Sequence, residues 1–558
     1  MTLLALAPIT TGRGGFRLQE ITDQGDGVGP PQTVASAEEL RQFETTRPRW
    51  LWDATSVVYP ALLRAGIRLE RCHDVCLTER ILLGRAGLFG LPNSAAAVHA
   101  RATGSQVPDD PQPRMTPEHP TLFEPGGPSS DRQSDIDPIE LLRFALIDQR
   151  RRIAGDRALG LLLAAESASG LAAAEMGATG LPWRVDLHLE LLTAMLGPRP
   201  RAGERPQRLA QLATEINDAF GFEVNPDSAL ELRAAFRRAG FEIESTRSWV
   251  IKELHHPAVV PVLTYKELSR VHTANGWNWL DEWARDGRFR PEYLPGSVVS
   301  GRWATRGGGA LQIPRALRKA VVADPGYRLV VADAAQLEPR VLAAVSGDVA
   351  LQRISADEDL YTALANDGFG GDRAHAKVAM LGAMYGATSG ESGRLLGTLR
   401  SRYPVAMACV ETAARQGEGG QVVRSVLGRA CPPPSETWRD VVDIGSGPDA
   451  TDEERRRAAQ FARDRGRFTR NFVVQGSAAD WASVWLSGLR RDLHDVPGAE
   501  LVFFQHDELI VHVPQEKASA VADLTIKAAE AARRLVFPTT LVTTPVRPVI
   551  VDCYADAK

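Results

Sequence analysis

Cysteine is scarce in this chain. Five among 558 residues, at 72, 76, 409, 431 and 553, are too few and too scattered for a disulfide framework. Cys72 and Cys76 have no second pair at zinc-ligand spacing, so they read as reduced core thiols of a cytosolic protein. There is no excess of positive charge either: a net charge of −4 excludes a wholly basic nucleic-acid coat protein. It leaves room for a locally basic cleft around an acidic centre. No apolar run reads as long enough to span a bilayer, which argues against a membrane partner. The start, Met1 to Pro8, has no basic region ahead of its short apolar run. It suits a buried first strand better than a signal peptide. No internal repeat is visible. What is present, 44% hydrophobic and 24% charged residues, is the composition of a soluble globular protein, long enough for two or more domains.

Three stretches carry chemistry. In Tyr327–Arg340, a β-rich run from Leu329 to Ala332 ends on Asp333. Residues Ala334 to Ser346 then read as a helix, with Leu337, Val341, Leu342 and Val345 on one face and Pro339 in the first turn. On this fragment Asp333 is either a helix N-cap or a rigidly held metal ligand. In Leu501–Val513, two apolar strands flank a polar tip, placing His506, Asp507 and Glu508 at a strand junction. Taken alone that tip is a solvated hairpin. Paired with Asp333, Asp507 offers a second strand-end carboxylate, and two such ligands can hold two divalent cations. Oxygen ligands select Mg²⁺, which keeps waters and substrate phosphates as its other ligands. Two metals about 4 Å apart activate an attacking hydroxyl and stabilise a leaving oxygen in phosphoryl transfer. Between these stretches, Arg373, Lys377, Leu381 and Tyr385 recur every four residues. On a helix they form one stripe of two cations, an apolar residue and an aromatic, suited to a triphosphate, a sugar and a base. The plainer alternative is an amphipathic helix with a solvated basic end.

This ordered set resembles motifs A, B and C of the family A DNA polymerases, the bacterial DNA polymerase I type. Gly301 and Arg302, followed by Leu311 to Pro314, resemble the segment before motif A. Asn471 to Asp480 resemble the template-contacting helix before motif C. The likeness covers roughly the last two thirds of the chain. It implies an α/β multidomain protein with a right-hand polymerase fold: an antiparallel palm sheet with helical fingers and thumb, preceded by an RNase H-like 3′–5′ exonuclease-type α/β domain. The implied division is 1–160 exonuclease-like, 161–295 connecting helices and thumb, 296–360 palm with motif A, 361–470 fingers with motif B, and 471–558 palm with motif C. Asp333, Asp507 and Glu508 would be catalytic, with Asp333 and Asp507 holding two Mg²⁺ ions or Mn²⁺ in their place. Arg373, Lys377, Leu381, Tyr385, Gln336 and Tyr361 would bind the nucleotide, with Glu338 blocking a ribose 2′-OH. Arg302, Arg467, Asn471, Gln475 and His506 would contact DNA. The partners implied are primer–template DNA and deoxynucleoside triphosphates, in a cytoplasmic, nucleoid-associated monomer.

In the first 160 residues, Arg49 to Asp53 reads as a strand, a helix carries Leu62 and Leu63, and Ile67 starts the next unit. Asp53 falls where the family places one exonuclease metal ligand. However, no Asp-x-Glu precedes it, and Asp156 has no tyrosine three or four residues ahead. The expectation is a scaffold without nuclease activity. Residues 101 to 138 read as a loop insertion rich in Pro, Gly, Ser and Asp. The 5′ nuclease domain of many relatives has no room here, which makes a separate 5′ nuclease an expected partner.

Further on, Leu161 to Met176 is strongly helical, and helices are expected at 186–196, 207–220, 227–239 and 257–273. The cations near these, Arg201, Arg205, Arg208, Arg237, Arg238 and Arg247, would suit a thumb on duplex phosphates. Trp277, Trp279 and Trp283 read as local core. The polar stretch between Pro434 and Arg455 reads as a loop. The sequence departs from the family at Leu381, usually aromatic, at Tyr361, usually histidine, at Ala334 and Ala335, commonly Tyr and Ser, and at Gln505, normally apolar. The function implied is template-directed DNA synthesis. A single-subunit RNA polymerase would have no use for Glu338, and an inactive DNA-binding paralogue would be expected to have lost Asp333 or Asp507.

Overall fold

Strand β1 (Leu3–Pro8) is apolar at every position and almost wholly buried, the condition of a central strand covered on both faces. It pairs antiparallel with β2 (Phe16–Ile21), which pairs antiparallel with β3 (Gly27–Val34). On its other edge it pairs parallel with β4 (Arg49–Trp52), which pairs parallel with β5 (Arg71–Asp74). The resulting order is β3-β2-β1-β4-β5. Helix α1 (Thr55–Arg64) makes the parallel crossover from β4 to β5. Helices α2 (Val75–Arg85), α3 (Ala95–Thr103) and α4 (Pro138–Ile153) complete this N-terminal α/β unit. The structure, a computed structural model, describes residues 2–9, 15–110, 136–309, 313–386 and 390–557. Of the expected loop at 101–138, residues 101–103 finish α3 and 104–110 are irregular, whereas 111–135 lie outside the described residues. Leu311 and Gln312 also lie outside them.

Helix α5 (Arg157–Thr179) starts on Asp156, whose carboxylate accepts a hydrogen bond from the Leu159 N–H at 3.0 Å. By length and composition it could cross a membrane, which corrects the expectation that no such run exists. Here most of its apolar length is buried inside the protein. It carries two buried carboxylates that tie the N-terminal unit to the rest. Glu166 accepts from Arg80 of α2 and from Arg429, each at 3.0 Å, and Arg429 also reaches Asp480 at 3.4 Å. Glu175 accepts from Tyr59 at 2.5 Å and from both Nε and Nη2 of Arg490, at 2.9 and 2.6 Å. Arg490 in turn donates to the Glu70 carbonyl at 2.9 Å and to that of Leu69. From α2, Arg80 also donates to the Pro295 carbonyl at 2.7 Å and Arg85 to that of Gly428 at 3.3 Å.

The thumb helices appear where periodicity placed them: α6 (Val185–Leu196), α7 (Gln207–Phe220), α8 (Ala229–Arg238) and α10 (Val259–Asn275). Two short helices were not anticipated, α9 (Ser248–Lys252) and α11 (Trp277–Trp283). Trp277 and Trp279 are core residues as expected, with Trp279 packed against Trp183 and Phe289. Several thumb cations are already engaged: Arg205 with Asp227, Arg208 with Glu215 and Arg237 with Glu242.

The palm sheet joins β6 (Tyr327–Asp333), β7 (Glu500–Gln505), β8 (Glu508–Pro514) and β9 (Val549–Val551) in the order β7-β8-β6-β9, antiparallel throughout. Alternation sorts its faces. Leu329, Val331 and Ile510 join the thumb-side core, while Val330, Ala332, Leu509 and Val511 join the core shared with the fingers. After β6 the chain does not enter a helix at once, contrary to expectation. Ala334 bridges to Val546, the Ala335 N–H bonds the Pro545 carbonyl, and Gln336 takes a left-handed turn at φ 54 before α12 (Leu337–Ser346) begins.

The fingers contain α13 (Leu360–Gly368), α14 (Arg373–Tyr385) and α15 (Pro404–Glu418). The stretch expected to be a loop between Pro434 and Arg455 contains α16 (Glu436–Ser446), capped by Ser435, whose side chain accepts from the Trp438 N–H at 3.1 Å. It is amphipathic, with Trp438, Val441, Val442 and Gly445 on one half-buried face and charged residues on the other, and none of its residues is fully buried. A capping box at Thr451 and Glu454 then starts α17 (Asp452–Leu493), 42 residues long, which runs from fingers into palm. Helix α18 (Ala518–Val536) backs the palm.

Candidate active site

Register brings the acids together. Asp333, the last residue of β6, sits directly opposite Glu508, the first residue of β8. His506 and Asp507 form the two-residue turn between β7 and β8, with His506 at φ 58. The Ala334 N–H donates to the Asp507 carbonyl at 2.9 Å, which locks the turn against the end of β6. Asp333 is therefore not an N-cap: three residues separate it from α12, and Gln336 occupies the cap position. Burial, and then the neighbouring Asp333, push the Asp507 carboxyl up to about 7. Glu508 is buried and accepts a hydrogen bond from the Tyr554 hydroxyl at 3.0 Å. Tyr554 was not anticipated by the sequence reading.

Beside the acids, Glu338 is gripped from two sides. Arg302 donates to its Oε1 and the Tyr385 hydroxyl to its Oε2 at 2.7 Å. The Gln475 amide lies 3.5 Å from the same hydroxyl. Arg302, Glu338, Tyr385 and Gln475, from four separate segments, thus form one polar chain along the floor of the site. Gly301, at φ +85, lets Arg302 take its place, since a side chain at 301 would collide with the Arg429 guanidinium. Arg467 lays its stem on Gly386, where a Cβ would come within 2.9 Å, and pairs with Asp464. Asn471 Oδ1 and His506 Nδ1 are buried atoms without a hydrogen-bond partner among the described residues. Burial, and then Arg302, lower the proton affinity of His506.

The stripe on α14 is formed as expected. Arg373 donates its Nε to Asp359 at 2.8 Å, and its guanidinium lies over the Tyr361 ring at 5.7 Å. This fixes the plane of the guanidinium, and among the described residues its two terminal nitrogens are left to outside acceptors. The tyrosine that replaces the family's histidine serves as its support. Burial, and then Glu338, push the Tyr361 hydroxyl up to about 12. Lys377, one turn on, is exposed and makes no ion pair or hydrogen bond among the described residues. Leu381 is half-buried, packed against the core shared by palm and fingers.

Gln336 is engaged elsewhere: its amide donates to Asp359 at 2.7 Å and its carbonyl accepts from the Leu360 N–H at 2.8 Å. Asp359 thus collects Arg373, Gln336 and the start of α13. Although burial alone would raise it, the hydrogen bonds from Arg373, Gln336 and Thr362 hold its carboxyl well below the usual range. Sequence reasoning missed Asp359, although an acid one residue ahead of a helix is a cap signal. It also missed Arg340. Fully buried, Arg340 donates to the carbonyls of Ala335, Asp357 and Glu358 at 3.0, 2.8 and 3.0 Å, tying the turn after β6 to the loop before α13.

The fold is that of a polymerase domain. It resembles the solved POL domain of Pol1 from M. smegmatis, in complex with DNA primer-template and dNTP, at a TM-score of 0.71. That likeness covers 99% of this chain and 95% of that one at 17% identity. Residues 201–544 match the model of DNA polymerase family A, and the chain belongs to that family. Among its relatives, the thermostable DNA polymerase I of Thermus filiformis is 30% identical over 314 residues, 51% of this chain and 35% of that protein. The thermostable DNA polymerase I of Thermus aquaticus is 27% identical over 378 residues, 60% of this chain and 43% of that protein. The chain spans less than half the length of these curated relatives.

Proposed function

We propose that this protein is a template-directed DNA polymerase that adds deoxynucleotides to a primer 3′ end, in DNA repair or replication. The observation that carries the reading is the register of β6 and β8, which sets Asp333 opposite Glu508 and, through the Ala334 N–H bond to the Asp507 carbonyl, beside the turn that carries Asp507, next to the Arg302–Glu338–Tyr385–Gln475 chain. The two carboxylates fit a divalent metal pair. They crowd each other in a largely buried place, so that one is pushed up to about 7, and a dication would relieve that repulsion. An all-oxygen set with two protein ligands suits Mg²⁺, with Mn²⁺ as a substitute. When bound, such a pair lowers the barrier to attack and to departure in an in-line phosphoryl transfer.

The chain's own residues do the rest. Arg373 and Lys377 take the triphosphate, Arg373 already oriented by Asp359 and Tyr361. Leu381 faces the sugar. Glu338, held from both sides, fills the volume that a ribose 2′-OH would need, and Tyr385 lies at the templating pair. His506, Asn471, Arg467 and Gln475 hold the primer end and template. Gln336 acts through Asp359 rather than on the nucleotide.

In the N-terminal unit, Asp53 serves as structure and not as a nuclease. Its carboxylate accepts from the Ala95 N–H at 2.7 Å, at the start of α3. The unpaired thiols fit a cytoplasmic, nucleoid-associated enzyme. Primer extension by the pure protein, with and without Mg²⁺, tests the reading; absence of metal-dependent extension would overturn it.

A further inference from the structure

Helix α17 extends outward beyond the residues that touch the site. Over its first turns, three sides can be told apart. The α16 side carries Ala458, Phe461 and Arg465: Gly445 packs on Ala458, Trp438 donates its indole N–H to the Phe461 carbonyl at 3.0 Å, and the Arg465 guanidinium lies 5.9 Å from the Trp438 ring. The α15 side carries Gly466 and Thr469, the latter donating to the Ala413 carbonyl at 2.7 Å. The remaining side carries Arg456, Gln460, Arg463 and Arg467, spaced four, three and four, and all four are exposed. Spacing of this kind sets them one above another on a helix. Arg456 and Arg463 make no ion pair among the described residues; Arg463 donates to Gln460 at 3.0 Å, which aligns the two side chains. Asp464 at the edge of the stripe is occupied by Gln460 and Arg467.

The stripe does not end in solvent on its inner side. It runs on through Arg467, against Gly386, and Asn471 to Gln475, beside the Tyr385 hydroxyl. At 1.5 Å per residue, Arg456 to Gln475 spans about 28 Å. No aromatic residue lies on the stripe, so it offers charge and hydrogen bonds rather than stacking surface. That chemistry suits the phosphates of a flexible strand, independent of base.

We propose that the outer turns of α17 form a track for the unpaired template strand ahead of the templating base, with Arg456 and Arg463 on its phosphates. This rests on the polymerase reading. Charge complementarity and continuity with the Tyr385–Gln475 contact name the occupant: the single strand that must arrive at that point.

The test compares two primer–templates that share a duplex. One has a single-nucleotide 5′ template overhang, the other an overhang of about a dozen nucleotides, long enough to follow the helix. Fluorescence anisotropy titrations at several salt concentrations are run with wild type, Arg456→Ala/Arg463→Ala and Arg456→Lys/Arg463→Lys. Wild type is expected to bind the long overhang about tenfold more tightly, and the alanine pair to lose most of that preference. The salt slope on the long overhang should fall by roughly 0.7 per lost phosphate contact. The lysine pair, which keeps the charge, should recover most of it, and unchanged thermal unfolding would exclude a folding defect. Equal weakening on both substrates, or no weakening on either, overturns the track. If wild type extends primers yet shows no overhang preference that depends on these arginines, the track alone falls. If wild type neither binds nor extends primer–template, the polymerase reading falls with it.

Discussion

Both sheets present an aspartate at the end of a buried strand, and both aspartates hold their protons unusually tightly: burial pushes Asp53 up to about 6 and Asp507 up to about 7. The perturbation is nearly the same; the neighbours differ. The Asp53 carboxylate is satisfied by the Ala95 N–H, with Cys76 Sγ at 3.5 Å, and the other acid at a strand end, Asp74, is occupied by Leu77 and Thr55 N–H groups. Next to burial, what raises Asp507 is Asp333, a second carboxylate aimed at the same space. A raised acid therefore marks burial in either sheet. Asp74 and Asp110 raise Asp53 too, but each less than the hydrogen bonds from Ala95 and Cys76 lower it, whereas at Asp507 a second acid acts next after burial, and the proposed metal pair rests on that difference.

The largest expected effect breaks the comparison outright. Asp333→Asn or Asp507→Asn should cut metal-dependent primer extension by about a thousandfold or more, since the paired ligands act as a unit. Asp53→Asn should leave it within about twofold, because Asp53 accepts from the Ala95 N–H at the start of α3 and lies in the N-terminal sheet, apart from the palm acids. Near wild-type extension by either palm variant would show that the metal ligands are elsewhere.

The second effect is on stability and sharpens the account of Asp53. Its folded-state pKa lies above the ordinary value, so its contribution is fully present below about pH 4 and is lost as pH rises through about 6. Asparagine does not titrate. The stability of Asp53→Asn relative to wild type should therefore rise between pH 4.5 and 7.5, by on the order of 2 kcal/mol. Urea unfolding of both proteins at the two pH values measures this; a constant difference would mean that Asp53 titrates as an exposed carboxylate does.

Third, Glu338→Ala should shift discrimination against ribonucleotides by about tenfold in the ratio of kcat/KM values. The same change frees Arg302 and Tyr385, so deoxynucleotide insertion should slow as well. An unchanged ratio would place sugar selection on another residue.

The smallest effect concerns Leu381→Phe. A ring at the height of the sugar contributes on the order of 1 kcal/mol beyond its area, a several-fold gain in kcat/KM that falls mainly on KM. Leu381 already packs against the fingers core, and Tyr361 fills space nearby under Arg373. A loss of activity in single-nucleotide insertion would mean that the pocket has been rebuilt around leucine.

Much of this architecture was legible because it follows from local pattern. Leu329–Ala332 ending on Asp333, the apolar strands around Asp507 and the four-residue stripe of α14 each carry their geometry in their spacing. What stayed hidden depends on contacts between distant segments. Asp359 gains its meaning only from Gln336 and Arg373, and Arg340 only from the carbonyls it gathers. Helix α16 was missed although Trp438, Val441, Val442 and Gly445 stand at helical spacing, because its single apolar stripe is short, only half-buried and set among charged residues. The late start of α12 follows from one left-handed residue, Gln336, for which the sequence carries no glycine as a warning.

The arginines of α2 and the two buried carboxylates of α5 have a consequence for how this protein could change over time. Cutting away the N-terminal unit would strip Arg80 from Glu166, Tyr59 from Glu175 and the Leu69 and Glu70 carbonyls from Arg490. Breaking one buried pair costs about 3–5 kcal/mol, a large share of what holds a domain together. The loops at Pro295 and Gly428, which lead to Arg302 and Arg429, would lose their anchors at the same stroke. The N-terminal unit therefore cannot be removed in steps, and it stands as the wall against which the rest of the chain is packed.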